Sequence, residues 1–433
     1  MSQGRIVHAP PSRDLAVNGR ASKRRPAQQG HEDGDRNPTI AKRGHRGYAS
    51  CVLAVEYRRT LGRKPYVRRV CPRQAGCKRA MKRANTMLGR LTSVLGIAAL
   101  LALGDAARAE SAFTLATMPR IDVHTHLGND WKTLDQAMEL RQAIKKRLNA
   151  EMAMWISLGR AEPPDMDQLR SRYGGRIQFC ISDFTIKDGL RFSSQELVEW
   201  QKRGVMGFKF YPGWQPGVRI DETANTPTFA KMEQIGMVAT SPHVANPCGT
   251  FGRRTEWFAE PVEFWRQQHA WEKVLARHPR LVVVSAHMLW LCYSDEQLDY
   301  LRYMLSTYPN LNIDMATTPV FLHAVGRDNL RDFMIEYADR IVFGTDMASR
   351  WFVPVLDKKF PDIRDKVPQY QRYFEFLETD KELPSGIDDE RKMRGLALPL
   401  DVLEKIYFRN ATRIYPHVKD TLTRLGYFGK DKP

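Results

Sequence analysis

"IDVHTHLGND", residues 121–130, sets two histidines one residue apart at the end of a short apolar run. Side chains alternate along a strand, so His124 and His126 share one side of it. Two histidines alone do not distinguish half of a metal site from two polar residues where a strand meets a loop. The reading depends on what the rest of the chain brings to the same place.

Downstream, short β-rich runs alternate with helical stretches. Strands are predicted over 120–125, 152–157, 176–182, 206–211, 236–241, 281–286, 311–315 and 340–345. The amphipathic segments between them, such as "SSQELVEWQKRG" and "DEQLDYLRYMLSTYP", carry apolar residues at helical spacing and end in Pro or Gly. Eight strands alternating with helices predict an α/β fold, a TIM-type (β/α)8 barrel. The doubly wound alternative would usually show a glycine-rich phosphate turn after its first strand, and here that strand ends in histidines. The segment 351–400 is the longest insertion and is expected to cap the barrel mouth.

In such a barrel the C-terminal ends of the strands converge on one face. Strand 1 delivers His124 and His126, strand 4 Lys209 and Tyr211, and strand 8 Asp346, while His243 follows strand 5 and His287 follows strand 6. Neutral imidazoles and carboxylates are the donors a Zn²⁺-like ion prefers, and a catalytic site leaves one position open for water. A cation there brings the pKa of that water toward ~7. A carboxylate beside it can take the proton, and a further histidine can polarise a carbonyl or shuttle the proton. Each residue has an ordinary alternative, such as Asp346 as a helix N-cap or Lys209 in a core-edge ion pair. Their joint fall at five strand ends favours the site. His269, His278 and His417 lie elsewhere in the pattern and are left out.

Charge divides the chain. The formal net charge is +18, but residues 1–80 hold 19 Lys+Arg against 5 Asp+Glu, whereas residues 110–433 hold 44 against 43. The body is balanced, which argues against nucleic acid as its partner. Residues 81–109 carry a basic start, a 13-residue apolar run from Leu91 to Leu103 and Ala107-Arg108-Ala109 at the end. That is the pattern of a secretory signal peptide, and the run is shorter than the about 20 residues that span a bilayer. The expected organisation is therefore a mis-assigned or disordered basic extension over 1–80, with the biological start at Met81 or Met87, a signal peptide over 81–109 and the barrel over 110–433. The expected location is periplasmic or secreted, without stable membrane insertion after cleavage. Cys180, Cys248 and Cys292 are an odd number without metal-like spacing, so at least one buried free thiol is expected.

The chain resembles the amidohydrolase superfamily over residues 118–418, and within it the amidohydrolase-related group that also contains metal-dependent decarboxylases of aromatic and related acids. The pieces that carry the resemblance are "IDVHTHLG", "GVMGFKFYP", "DRIVFGTDM" and "LPLDVLEKIYFRNATRIYP". It implies a divalent metal, Zn²⁺ by preference and one ion rather than two, held by His124, His126, His243 and Asp346. His287 would be the water-activating residue, or a ligand where two metals bind, and Lys209 stands where two-metal members carry a carboxylated lysine. His243 departs from the family's usual surroundings, since it follows "SP" and precedes "VANP". Tyr211, Trp290, His323 and Arg350 are candidate mouth residues.

Two activities follow. One is hydrolysis of a C–N or C–O bond in a small-molecule amide, lactone or ester by metal-bound hydroxide, with Asp346 and His287 catalytic. The other is non-oxidative decarboxylation of an aromatic or related acid. A metal-bound barrel that binds without turnover is the non-enzymatic alternative. The reading allows a homo-oligomer.

Overall fold

The computed structural model describes residues 113–428 except 160–162, 184–192, 211–218, 241–260, 321, 349–362 and 385–391. The basic extension, the leader-like segment, Tyr211, His243, Cys248 and Arg350 lie outside the described residues.

Near-continuous apolar runs form the inner wall, as expected for parallel strands buried on both faces. They are β1 (Pro119–His126), β2 (Glu151–Leu158), β3 (Ile177–Asp183), β4 (Gly207–Phe210), β5 (Val238–Thr240), β6 (Val283–Ser285) and β7 (Leu311–Asp314). Each begins and ends within two residues of its expected span. All pair in parallel with their sequence neighbours.

The eighth strand departs from expectation. In place of one run over 340–345 there are two pieces, β8 (Ile341–Val342) and β9 (Met347–Ala348). β8 pairs with β7 and β9 pairs with β1, so one short stretch of chain joins the two edges of the sheet and closes the barrel. Between the pieces the amides leave the ladder. Phe343 N donates to Ile406 O (3.0 Å), Thr345 N to the Asp122 carboxylate (3.1 Å) and Asp346 N to His124 O (2.8 Å). Ile406 lies in a π-helical turn, Lys405–Arg409, and such a turn displaces carbonyls from the regular helical ladder.

The wall helices are α1 (Trp131–Leu148), α2 (Met166–Tyr173), α3 (Ser194–Lys202), α4 (Thr226–Ile235), α5 (Pro261–Arg277), α6 (Asp295–Thr307), α7 (Arg327–Glu336) and α8 (Val367–Glu378). Their starts follow local chemistry. Asp130 caps α1 by accepting from Thr133 N, and Ser193 with Glu196 forms a capping box on α3. On α1 the buried residues Leu134, Ala137, Leu140 and Ile144 form one stripe at three- to four-residue spacing.

The insertion 351–400 was expected over the mouth, but its described helix α8 belongs to the wall. Near its start Gln369 donates to Thr345 O (3.1 Å), at the C-terminal end of the eighth strand, and Tyr373 midway along it does the same. At its last residue Glu378 pairs with Arg120 at the start of β1 (2.7 Å). α8 therefore runs the height of the barrel, as the helix after the last strand of a (β/α)8 barrel must. Its apolar residues Tyr370, Phe374 and Leu377 are buried there, so the same side chains could not cover an open mouth. Cys180 and Cys292 are buried free thiols, as the cysteine count implied.

Candidate active site

Five of the residues singled out in the sequence meet at the C-terminal ends of the strands: His124, His126, Lys209, His287 and Asp346. Each imidazole is tied from behind. Nδ1 donates to Asp314 Oδ2 in His124 (2.8 Å), to Leu158 O in His126 (2.9 Å) and to Ala316 O in His287 (2.7 Å). Carbonyls and carboxylates only accept, so the ring proton sits on Nδ1 and each Nε2 presents a lone pair.

Those lone pairs face a carboxylate. His126 Nε2 is 3.0 Å and His124 Nε2 3.4 Å from Asp346 Oδ1. Donor atoms of His124, His287 and Asp346 all lie within 4.8 Å of one another and could hold a metal ion. Unprotonated nitrogens and a carboxylate oxygen at such distances repel unless positive charge shares the space. Lys209 supplies some of it, with Nζ 3.0 Å from His124 Nε2 and 3.3 Å from His126 Nε2. Two or three imidazoles with one carboxylate, each fixed from outside, is a donor set that fits a divalent ion of the zinc type.

Protonation agrees with this use. Burial, helped by the Lys209 charge, takes the His124 imidazole well below its ordinary 6.5. Burial brings His287 down to about 4. Burial alone would raise the Asp346 carboxyl, but the His126 contact and the fields of His124, His126 and His287 hold it well below the usual carboxylate range. The lowered His124 and His287 are therefore neutral imidazoles, and Asp346 is an ionised carboxylate.

The backbone that presents these groups is irregular. His287 begins a left-handed turn in which His287, Met288, Leu289 and Trp290 have φ of 56°, 52°, 56° and 57°. Trp290 stacks on the His287 ring at 4.3 Å between centroids, and Gln268 on α5 donates to Leu289 O (2.8 Å). Asp346 is itself left-handed, with φ 60°. Such conformations cost about 1–3 kcal/mol each for non-glycine residues and persist where surroundings over-determine them. Gly344 permits the crowding: a Cβ there would meet His124 Cβ at 2.9 Å.

Asp314, Thr317, Asp122 and Tyr373 were missed in the sequence. Asp314 ends the apolar run "LNID" just as Asp346 follows "IVFGT", and a buried carboxylate ending a strand was the available signal. Asp122 is fully buried and accepts from Thr345 Oγ1 and N, Tyr370 OH and His124 N. Burial pushes its carboxyl up to about 7 against the pull of those four donors. His323 lies in a short turn, Leu322–Ala324, with no part in the cluster of donor atoms. Outside the site, His269 pairs with Glu272 and His278 with Glu233.

A family model described as amidohydrolase matches residues 167–417. Solved structures are similar over most of the chain. A putative amidohydrolase from Staphylococcus aureus is 12% identical, with a TM-score of 0.43, over 69% of this chain and 99% of that one. A 2,6-dihydroxybenzoate decarboxylase from Rhizobium is 17% identical, with a TM-score of 0.41, over 69% and 98%. An uncharacterised TIM-barrel protein from Bordetella bronchiseptica is 14% identical, with a TM-score of 0.42, over 68% and 98%. No curated protein matches.

Proposed function

This chain belongs to the amidohydrolase family, whose model matches more than half of it, and from that premise we propose that it is a metal-dependent hydrolase cleaving a C–N or C–O bond of a small-molecule amide, lactone or ester. Members of the family are metal-dependent enzymes acting on small molecules. The observation that carries the proposal is the outward tethering of all three Nδ1 atoms, which turns the Nε2 atoms of His124, His126 and His287 inward, beside an ionised Asp346. His124, His126 and Asp346 would hold one ion, zinc by preference, with His243 as a fourth residue outside the described part. When bound, that ion supplies a Lewis acid that polarises a carbonyl and lowers the pKa of water.

The chain's own groups do the rest. Asp346 is the proton acceptor: Oδ1 faces the imidazoles, while Oδ2 accepts from Thr317 Oγ1 (2.9 Å), which stops the carboxylate from rotating. His287, neutral and with its proton on Nδ1, takes up a proton at Nε2 and passes it to the departing nitrogen or oxygen. Lys209 carries positive charge where a negative oxygen would develop.

The same ammonium favours a second reading, non-oxidative decarboxylation, because it could grip a substrate carboxylate beside the histidines. Zinc-loaded protein offered lactones and amides on one side and aromatic acids on the other separates the two. CO₂ release without any water-dependent product would sink the hydrolase assignment.

We extend the proposal to location: residues 81–109 direct export. Sequencing the native N-terminus checks this, with a start near Glu110 expected and an intact Met1 against it. No described helix is long and apolar enough to cross a membrane.

A further inference from the structure

We propose that the end of β7, Asp314 to Thr317, is the orienting template of the site: it holds in place two of the residues assigned to the ion, His124 and Asp346, together with the proton-transfer residue, His287. The inference rests on the metal-dependent reading above and deepens it, by naming the segment that gives those donors their direction.

Three consecutive functions are strung along four residues. Asp314 Oδ2 accepts from His124 Nδ1 (2.8 Å), while Asp314 Oδ1 accepts from His287 N (2.9 Å) and Ala316 N (3.0 Å). Ala316 O accepts from His287 Nδ1 (2.7 Å). Thr317 Oγ1 donates to Asp346 Oδ2 (2.9 Å). One short segment thus meets a strand 1 residue, a strand 6 residue and a strand 8 residue. All of it is buried, with Asp314 1%, Ala316 0% and Thr317 4% exposed.

The segment is itself held in an unusual form. Thr317 has φ 61°, and its amide donates to Tyr373 OH (2.6 Å). The same hydroxyl donates to Thr345 O (3.1 Å), the carbonyl immediately before Asp346. Tyr373 therefore ties two left-handed residues, Thr317 and Asp346, to one point on α8. It acts through Thr317 and Thr345 and is a positioning residue.

The chemistry makes Asp314 more than a turn cap. As a carboxylate it can only accept from His124 Nδ1, which leaves the lone pair on Nε2. An asparagine keeps the shape and keeps an oxygen for the His287 and Ala316 amides, but it can offer an N–H to Nδ1. The ring proton then moves to Nε2, the atom that must meet a cation.

The experiment uses the full chain with Asp314→Asn, Thr317→Val, Tyr373→Phe and the Thr317→Val/Tyr373→Phe double variant. Nitrogen and proton NMR of the metal-free protein reads the His124 tautomer, and chelator competition reads Zn²⁺ affinity. Wild type is expected to show the proton on Nδ1. Asp314→Asn is expected to move it to Nε2 and to weaken Zn²⁺ by about 10- to 100-fold, the usual cost of losing an outer partner of a ligand. Thr317→Val and Tyr373→Phe are each expected to weaken Zn²⁺ by about tenfold, and the double variant by less than the two losses combined, because part of the Tyr373 effect runs through Thr317. An Nε2 proton in wild type, an unmoved tautomer in Asp314→Asn, or additive losses in the double variant would overturn the template. If wild type binds no Zn²⁺, the metal-dependent reading fails, and the NMR result alone then decides the role of Asp314. If Asp314→Asn does not fold, the wild-type tautomer and the Thr317/Tyr373 pair decide it.

Discussion

β1 and the β7–β8 side of the barrel face the same cluster of donor atoms and are built in different ways. β1 delivers His124 and His126 from extended backbone, two residues apart, although its ladder to β2 shifts register twice, once between Asp122 and Thr125. The other side uses short strands, then left-handed residues at Thr317 and Asp346, a broken eighth strand and hydroxyls from α8. Extended backbone places alternate side chains on one side by its periodicity, even where the ladder shifts register. Irregular backbone places it only where several neighbours hold it, and the strain it carries has to be offset by those contacts.

The comparison can be broken first at its two ends. Replacing either His124 by Ala on the extended side or Asp346 by Asn on the left-handed side is expected to lower turnover about a thousandfold or more, the consequence of losing several kcal/mol of charge stabilisation. Steady-state assays of the metal-loaded variants check this, and near-normal turnover in either would remove that residue from the chemistry.

His287 should behave differently. His287→Ala is expected to lower turnover about a hundredfold, the scale of a lost proton-transfer group, while retaining most of the metal. Elemental analysis of that variant gives the answer. A metal-free His287→Ala protein contradicts the one-ion assignment, and two ions per wild-type chain would make Lys209 a candidate bridging ligand.

Gly344 is the point where the two sides press together. Gly344→Ala would place its Cβ at 2.9 Å from His124 Cβ and 3.4 Å from Asp314 Cβ. A cost of about 1–3 kcal/mol is expected for such overpacking, with weaker metal binding because His124 and Asp314 must shift. Denaturant unfolding and chelator competition should move together; a stable variant with altered metal affinity, or the reverse, would separate the two roles.

The smallest effect sharpens the contrast through pH. His287 titrates near 6.5 when unfolded and about 4 when folded, so between those values the unfolded chain binds the extra proton. Its contribution to stability is complete above about 6.5 and is lost as pH falls toward 4. Asp122 on β1 has the opposite sign. Its ordinary value is 3.8 and its folded value about 7, so the folded chain holds the proton in that interval and this contribution falls as pH rises through it. Melting the metal-free protein from acid to neutral pH is expected to show a shallower acid loss in His287→Gln and a shallower neutral loss in Asp122→Asn. Unchanged slopes would show that neither group titrates as its surroundings imply.

Much of this arrangement was legible before folding. The strands were readable because a parallel strand buried on both faces is a near-continuous apolar run, and the helices because α1 and its neighbours keep one apolar stripe. His124, His126, Lys209, His287 and Asp346 were readable because polar residues at the ends of apolar runs must be brought to one face by a barrel. The break in strand 8 was not readable. "RIVFGTDM" has the composition of one strand, and only the competing acceptors Ile406 O, Asp122 and His124 O pull its amides out of the ladder. Nor was the wall position of α8, since its apolar face suits a wall or a lid equally until Glu378 meets Arg120.

The sequence by itself therefore determined the barrel and the kinds of side chain at its strand ends, because those depend on local periodicity and on residue chemistry. The tertiary structure decided which nitrogen of each histidine faces inward, which carboxylates hold rather than react, and why a glycine stands at 344. Those depend on contacts between residues far apart in the chain, 190 positions for His124 and Asp314 and 223 for Asp122 and Thr345, and no local pattern in the chain encodes which two such residues will touch.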